Sequence, residues 1–206
     1  LTAPSRYRNV MIDVETMGHG PSAAVLSIGV VPFQIHPDDC SVAPAAYWVE
    51  VRCSLGAASR AGLEVNADTV EWWLAQSQDA REALIREPRH DDYRAFLAAF
   101  AASLRTINGR DAELTVWAKP PQYDLVTLRA QLAKFGVDEP WQHRNEQDLR
   151  TVIAAAKAAM QSGQDGWAEV LETSPLVKHS ALDDAAVQAD QVVRFYRRLY
   201  RRAPAR

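Results

Sequence analysis

Cysteine is scarce. The 206-residue chain has only Cys40 and Cys53, with no CxxC pair. Two thiols do not make a disulfide framework, so the disulfide-stapled class is excluded and a reduced protein is expected. Long apolar runs are also missing. None approaches the roughly 20 residues that a membrane helix needs, which argues against a membrane partner. The opening LTAPSRYR lacks the apolar core of a signal peptide, and the expectation is a cytoplasmic protein. Positive charge is not in excess either. The net charge of -3 argues against nonspecific attraction to nucleic acid, unless the acids hold metal. Two divalent cations would reverse the sign. Basic charge is concentrated only at the C-terminal end, where Arg194 to Arg206 includes six arginines and no acid. That stretch is read either as a contact to a nucleic-acid backbone or as a solvated helix end. There is no internal repeat, low-complexity segment or linker, and the length suits one well-buried domain.

Strand patterns come first along the chain. Residues 10–14 read as a buried strand, ended by Gly18 and Gly20-Pro21. VLSIGVVPF (25–33) is a second strand and YWVEV (47–51) a third, forming an antiparallel meander with HPDDCSVAPA as a loop. Helical patterns follow. Asp68 is the expected cap of a helix through EWWLAQ. Further helices are expected over 78–86, 91–105, 123–135, 148–160 and 180–202, with one short strand at 114–117. Strands first, then helices alternating with strand material, point to one α/β sheet domain.

The first strand contains IDVET, with Asp13 and Glu15 two residues apart. Side chains at that spacing share a face, roughly 6.6 Å apart. Met11 lies beneath them, and Val10, Ile12 and Val14 face the other way. Two close carboxylates repel, and burial raises the cost. A hard divalent cation removes both problems, whereas a solvated strand end is the plain alternative. Asp124, in VWAKPPQYDLVTL, falls in the first turn of a helix, where the dipole alone favours an acid. In KHSALDDAAVQAD (178–190), Ser180 and Asp183 have the form of a capping box. That assigns Asp183 a structural role and leaves Asp184 without one. His179 precedes the cap on a loop, free to swing and suited to taking a proton from water. His36, His90 and His143 show no ligand spacing, and His19 reads as loop surface.

Strand DxE, a later helical Asp, and H-x-A-x-x-D opening the last helix form an ordered set. In this the chain resembles the DEDD exonucleases, His subgroup, over most of its length. The resemblance is carried by Asp13, Glu15, Asp124, His179 and Asp184. It is most marked to the branch containing the Rv2179c-like exoribonucleases and the phage DNA exonuclease A and exonuclease VIII type nucleases. TVEWWLAQSQDAR (69–81), VWAKPPQYD and DLRTV (148–152) look like that branch's landmarks. One departure is Pro120, where many members carry Asn four residues before the third-motif Asp.

The resemblance implies a ribonuclease H-like α/β fold with a five-stranded mixed sheet, its first three strands antiparallel. It implies one 3′-5′ exonuclease domain over residues 1–206. Asp13, Glu15, Asp124 and Asp184 would bind two divalent cations, Mg²⁺ or Mn²⁺, with His179 as general base. The substrate would be the 3′ end of single-stranded RNA or DNA and the product a 5′-mononucleotide. Thr16 and Met17 would meet the terminal nucleotide, where plain turn packing is the alternative. Trp73 and Gln76, with Trp72, would line a base pocket. The alternative there is one tryptophan in the core and one at the surface. A homodimer is also expected by resemblance. A catalytically weak nucleic-acid-binding module and a polymerase-associated proofreading module are the competing readings. All five catalytic positions are filled, which argues against the first, and no long partner-binding linker supports the second.

Overall fold

In β1 (Asn9–Thr16) successive side chains enter different cores. Val10, Ile12 and Val14 join one cluster and Met11 joins the other. Asp13 and Glu15 therefore lie on the Met11 face, because strand side chains alternate. The computed structural model describes residues 7–108, 114–172 and 176–202. Its sheet is mixed. β1 pairs antiparallel with β2 (Val25–His36) and parallel with β5 (Thr115–Ala118), which pairs parallel with β6 (Glu146–Asp148).

The far edge of β2 is shared by two strands. β4 (Val49–Arg52) pairs with Ser27–Val30, and β3 (Asp39–Val42) pairs with Phe33–His36. Among the described residues the sheet thus has six strands rather than five, although the path β3-β2-β1-β5-β6 is five strands wide. The segment HPDDCSVAPA, expected to be a loop, contains β3. Strand β2 runs on to His36 and folds back, so DCSV finds an edge to pair with. Pro32 marks the handover between β4 and β3. Its carbonyl accepts from the Ala43 N–H at 2.9 Å, and proline has no N–H to offer on that edge. The third expected strand is also shifted. Ala45–Tyr47 forms a 3-10 turn, and the strand starts at Val49.

Helices cover both faces. Phe96, Leu97, Phe100 and Leu104 of α4 (Tyr93–Asn108) pack on the Val10/Ile12/Val14 side, as do Leu125, Leu128 and Leu132 of α5 (Asp124–Lys134). The same side carries residues of α1 (Leu55–Arg60), α2 (Ala67–Leu74) and α3 (Gln78–Ile85). The cap of α2 is Asn66, whose side chain accepts from the Thr69 N–H at 3.2 Å. Asp68, expected to cap it, instead lies in the first turn, where the helix dipole favours an acid. The Met11 face is covered by α8 (Ala181–Arg202) and by Leu149 and Val152 of α6 (Leu149–Gln161). The short α7 (Ala168–Leu171) adds Val170 to a small satellite core.

α8 lies very close to the sheet. Ala185, Ala186 and Ala189 present small side chains there. At Gly29, opposite Asp13 in the β1–β2 register, an added Cβ would lie 2.2 Å from the Ala181 carbonyl oxygen. The C-terminal arginines of α8 are used as ties. Arg197 donates to the Cys40 carbonyl of β3 at 2.6 Å, Arg194 to the Glu169 carbonyl at 3.0 Å, and Arg198 to the Asp165 carbonyl. These residues are not a merely solvated end, and Arg206 lies outside the described residues. Among the described residues no helix is long and apolar enough to cross a membrane. Both cysteines are free thiols.

A Gly29→Ala substitution should lift the start of α8 from the sheet. Overpacking of this kind costs about 1–3 kcal/mol, read as a lower urea midpoint. Gly56→Ala is the matched control, because a Cβ there meets chiefly the flexible end of Arg60. Equal midpoints for the two variants would show that the α8 contact tolerates a methyl group.

Candidate active site

Three distant segments meet at the C-terminal ends of the parallel strands β1 and β5. In open α/β sheets this is where ligand crevices form. β1 delivers Asp13 and Glu15. β5 ends at Ala118, and the Pro120-Pro121 turn leads into α5, whose first residue is Asp124. The turn is closed by bonds from the Tyr123 and Asp124 N–H groups to the Pro120 carbonyl. α8, seated over Gly29, brings Asp184 and Gln188.

The contacts revise two expectations. Asp184, not Asp183, engages the segment before α8, as its Oδ2 accepts from the His179 N–H at 2.9 Å. His179 is not free to swing. Its backbone is left-handed (φ 62°), and its ring packs edge-on against Trp72, centroids 4.8 Å apart. Possible ligand atoms of Glu15, His179 and Asp184 all lie within 4.8 Å of one another. Asp13 accepts from Gln188 Nε2 at 2.7 Å.

The four carboxylates strain one another electrostatically. Burial, then the charges of Asp124, Glu15 and Asp184, push Asp13 well above the usual carboxylate range, against a lowering bond from Gln188. Glu15 rises to about 8 through burial and the charges of Asp184, Asp124 and Glu50. Asp124 rises to about 7 through burial, partly offset by nearby backbone amides. Asp184 is raised by burial and drawn back by the His179 N–H and by the charges of His179 and Lys119. Two like charges about 5 Å apart repel by about 3 kcal/mol at an effective dielectric of about 20. The set cannot be fully ionised without compensation. One of its atoms, Asp124 Oδ2, is buried with no hydrogen-bond partner. An orphaned carboxylate oxygen among three further acids is a donor set of hard oxygens, and it fits a divalent cation such as Mg²⁺ or Mn²⁺.

Beside the acids opens a cavity of about 430 Å³, lined by Glu15, Thr16, Thr69, Trp72, Trp73 and Tyr123 among others. The two tryptophans are split. Trp73 is 4% exposed and donates from Nε1 to the Thr16 carbonyl at 2.9 Å, while Trp72 is 44% exposed. Of the expected substrate contacts, Thr16 and Trp73 line this cavity. Met17 packs into the core, its N–H bonded to the Ala24 carbonyl and its carbonyl to the Asn66 N–H. Gln76 turns back on its own helix and donates to the Trp72 carbonyl at 2.8 Å.

Three residues at the site were missed by sequence reasoning. The Tyr123 hydroxyl bonds Thr16 Oγ1 at 2.7 Å and the Gly18 carbonyl at 2.8 Å, tying the end of β1 to the start of α5. Gln188 holds Asp13, and Gly29 admits α8. Helical spacing from Asp184 was a signal for Gln188, and adjacency to Asp124 was one for Tyr123. Gly29 had no signal short of the packing itself.

Comparison with known proteins gives the family of the chain. An exodeoxyribonuclease of Enterobacteria phage T4 is 27% identical over 161 residues, which is 70% of this chain and 70% of that protein. Among solved structures, cell-death related nuclease 4 (CRN-4) matches with a TM-score of 0.56 at 13% identity, a likeness of fold alone. That match covers 92% of this chain and 64% of CRN-4, so the chain spans under two thirds of that relative. The model of the 3'-5' exoribonuclease Rv2179c-like domain matches residues 8–195, and the chain belongs to that family of 3′-5′ exonucleases.

Proposed function

We propose that residues 1–206 act as one domain that removes nucleotides from the 3′ end of single-stranded RNA or DNA and releases 5′-mononucleotides. The observation that carries this reading is the convergence of Asp13, Glu15, Asp124 and Asp184 from three segments, with a buried Asp124 oxygen left unbonded. These four side chains would hold two divalent cations, Mg²⁺ or Mn²⁺. The cations, when bound, supply charge neutralisation at the phosphate and lower the pKa of water.

The chain's own groups divide the remaining work. His179, held against Trp72, accepts the proton of the attacking water. The water oxygen forms a bond to phosphorus, the bond from phosphorus to the 3′-oxygen breaks, and that oxygen takes its proton from solvent. The Asp184 carboxylate fixes the His179 backbone and so places the base. Gln188 orients Asp13. Trp72, Trp73 and Tyr123 offer aromatic surface to the terminal nucleoside, and base–aromatic stacking is tolerant of sequence.

Digestion of matched 3′-tailed RNA and DNA under Mg²⁺ and Mn²⁺ tests the proposal. Mononucleotides should appear one at a time and stop with chelator. Asp13→Ala should abolish them and weaken Mn²⁺ binding, and a near wild-type rate would refute its role. Intact binding without turnover in the wild type would instead favour a nucleic-acid-binding module. His179→Ala should slow the reaction by about 10²–10⁴-fold, the usual cost of a lost general base, and leave Mn²⁺ affinity within a few-fold. A large loss of affinity would make His179 a ligand, as its closeness to Glu15 and Asp184 also permits.

The raised carboxyls set a pH dependence. Without cations the fold keeps protons that the unfolded chain has already released. The contribution of these acids to stability is therefore fully present below the ordinary carboxylate pKa of about 4 and is lost as pH rises. The fall extends to about pH 8, where Glu15 titrates. In chelator the Tm should drop steadily across that window, and saturating Mn²⁺ should flatten the slope. A Tm in chelator that rises with pH would contradict the placement of the four acids.

A further inference from the structure

A second cavity, of about 270 Å³, opens beside the acids and shares no lining residue with the first. Its wall includes Lys119, Lys178, His179, Asp184, Gln188 and Gln191. It shares Asp184 and His179 with the acidic centre, whereas the tryptophan-lined cavity shares Glu15. Two neighbouring acids, Glu15 and Asp184, thus line two cavities of opposite character. The first has three large aromatic residues and no lysine or arginine in its wall. The second has two lysines and no tryptophan, tyrosine or phenylalanine.

The lysines come from segments far apart in sequence. Lys119 follows β5 in the turn that leads to Asp124, and Lys178 precedes His179 at the approach to α8. Both are exposed. Among the described residues neither forms a salt bridge with a carboxylate. Once cations neutralise the acids, two ammonium groups remain on this side with no protein anion bound to them. A polynucleotide cut near its 3′ end presents a nucleoside on one side of the scissile phosphate and another phosphate on the other. An aromatic wall suits the nucleoside, and a pair of lysines suits the phosphate.

We infer that Lys119 and Lys178 form an upstream subsite that holds the phosphate next to the scissile one on its 5′ side. This orients the strand, with its 3′-terminal nucleoside against Trp72 and Trp73 and its body leaving past α8. The inference rests on the exonuclease reading above. It adds a preference for substrates with at least one phosphodiester upstream of the bond that is cut.

The test compares two substrates with Mn²⁺. One is a ten-nucleotide oligothymidylate or oligouridylate, whichever the wild type cuts. The other is thymidine 5′-(p-nitrophenyl phosphate), which has a nucleoside and a scissile phosphodiester but no upstream phosphate. In the Lys119→Ala/Lys178→Ala variant, the ratio of oligonucleotide to short-diester kcat/KM should fall at least tenfold. The plot of log kcat/KM against log salt for the oligonucleotide should become shallower by about 0.7, the value for one phosphate of a single strand. The double Lys→Arg variant should recover most of the ratio. A wild type inert on both substrates overturns the exonuclease reading itself. A wild type active on both, with the ratio and salt slope of the alanine variant unchanged, overturns the subsite alone. Equal losses on both substrates also overturn it, because the lysines would then act on the acids rather than on the strand. If the wild type cuts only the oligonucleotide, the salt slope decides.

Discussion

Four carboxylates that repel one another are held together by a scaffold that does not depend on them. Asp13 and Glu15 cannot separate, because they share one face of a strand that pairs with β2 through both residues, Asp13 opposite Gly29 and Glu15 opposite Ser27. Asp184 cannot withdraw while the alanine-rich start of α8 rests on Gly29. Asp124 opens a helix whose Leu125, Leu128 and Leu132 are buried in the larger core. Apolar packing on both sides of the sheet offsets the repulsion, and the acids are left demanding protons or cations. Such a local loss of stability is the usual exchange at a functional site, and it accords with the function proposed.

A ring of contacts around the acids limits their freedom further. Trp73 holds the Thr16 carbonyl, Tyr123 ties Thr16 and Gly18 to the start of α5, and Trp72 supports the His179 ring. These contacts join α2, β1, α5 and the approach to α8 across long stretches of sequence. The same aromatic residues wall the larger cavity. In the function proposed, holding the acids and receiving a nucleoside are thus tasks of one set of side chains.

The sheet edge away from the site follows a separate logic. Two short strands divide one long strand at Pro32, and Arg197 reaches from α8 to β3. The C-terminal half of α8 is anchored there, while its N-terminal half carries Asp184 and Gln188. One helix therefore links the edge of the sheet to its acidic end.

Much of this was legible from local pattern. The alternation in NVMIDVET placed two acids on one face of a buried strand, because strand side chains alternate whatever surrounds them. The order DxE, Asp, HxAxxD pointed to a nuclease and to its metal-binding chemistry, and helices were expected over 91–105, 123–135 and 180–202, close to those observed. Where side chains found partners was not legible. DCSV has no strong strand signal, and it pairs because β2 extends far enough to give it an edge. Asp183 and Asp184 are adjacent and chemically identical. Only the path of the chain onto Gly29 decides which one turns to His179. Lys119 and Lys178, 59 residues apart in sequence, share a cavity wall for the same reason. Periodicity acts within a few residues and can be read from them, but convergence depends on packing between distant segments and exists only in the folded chain.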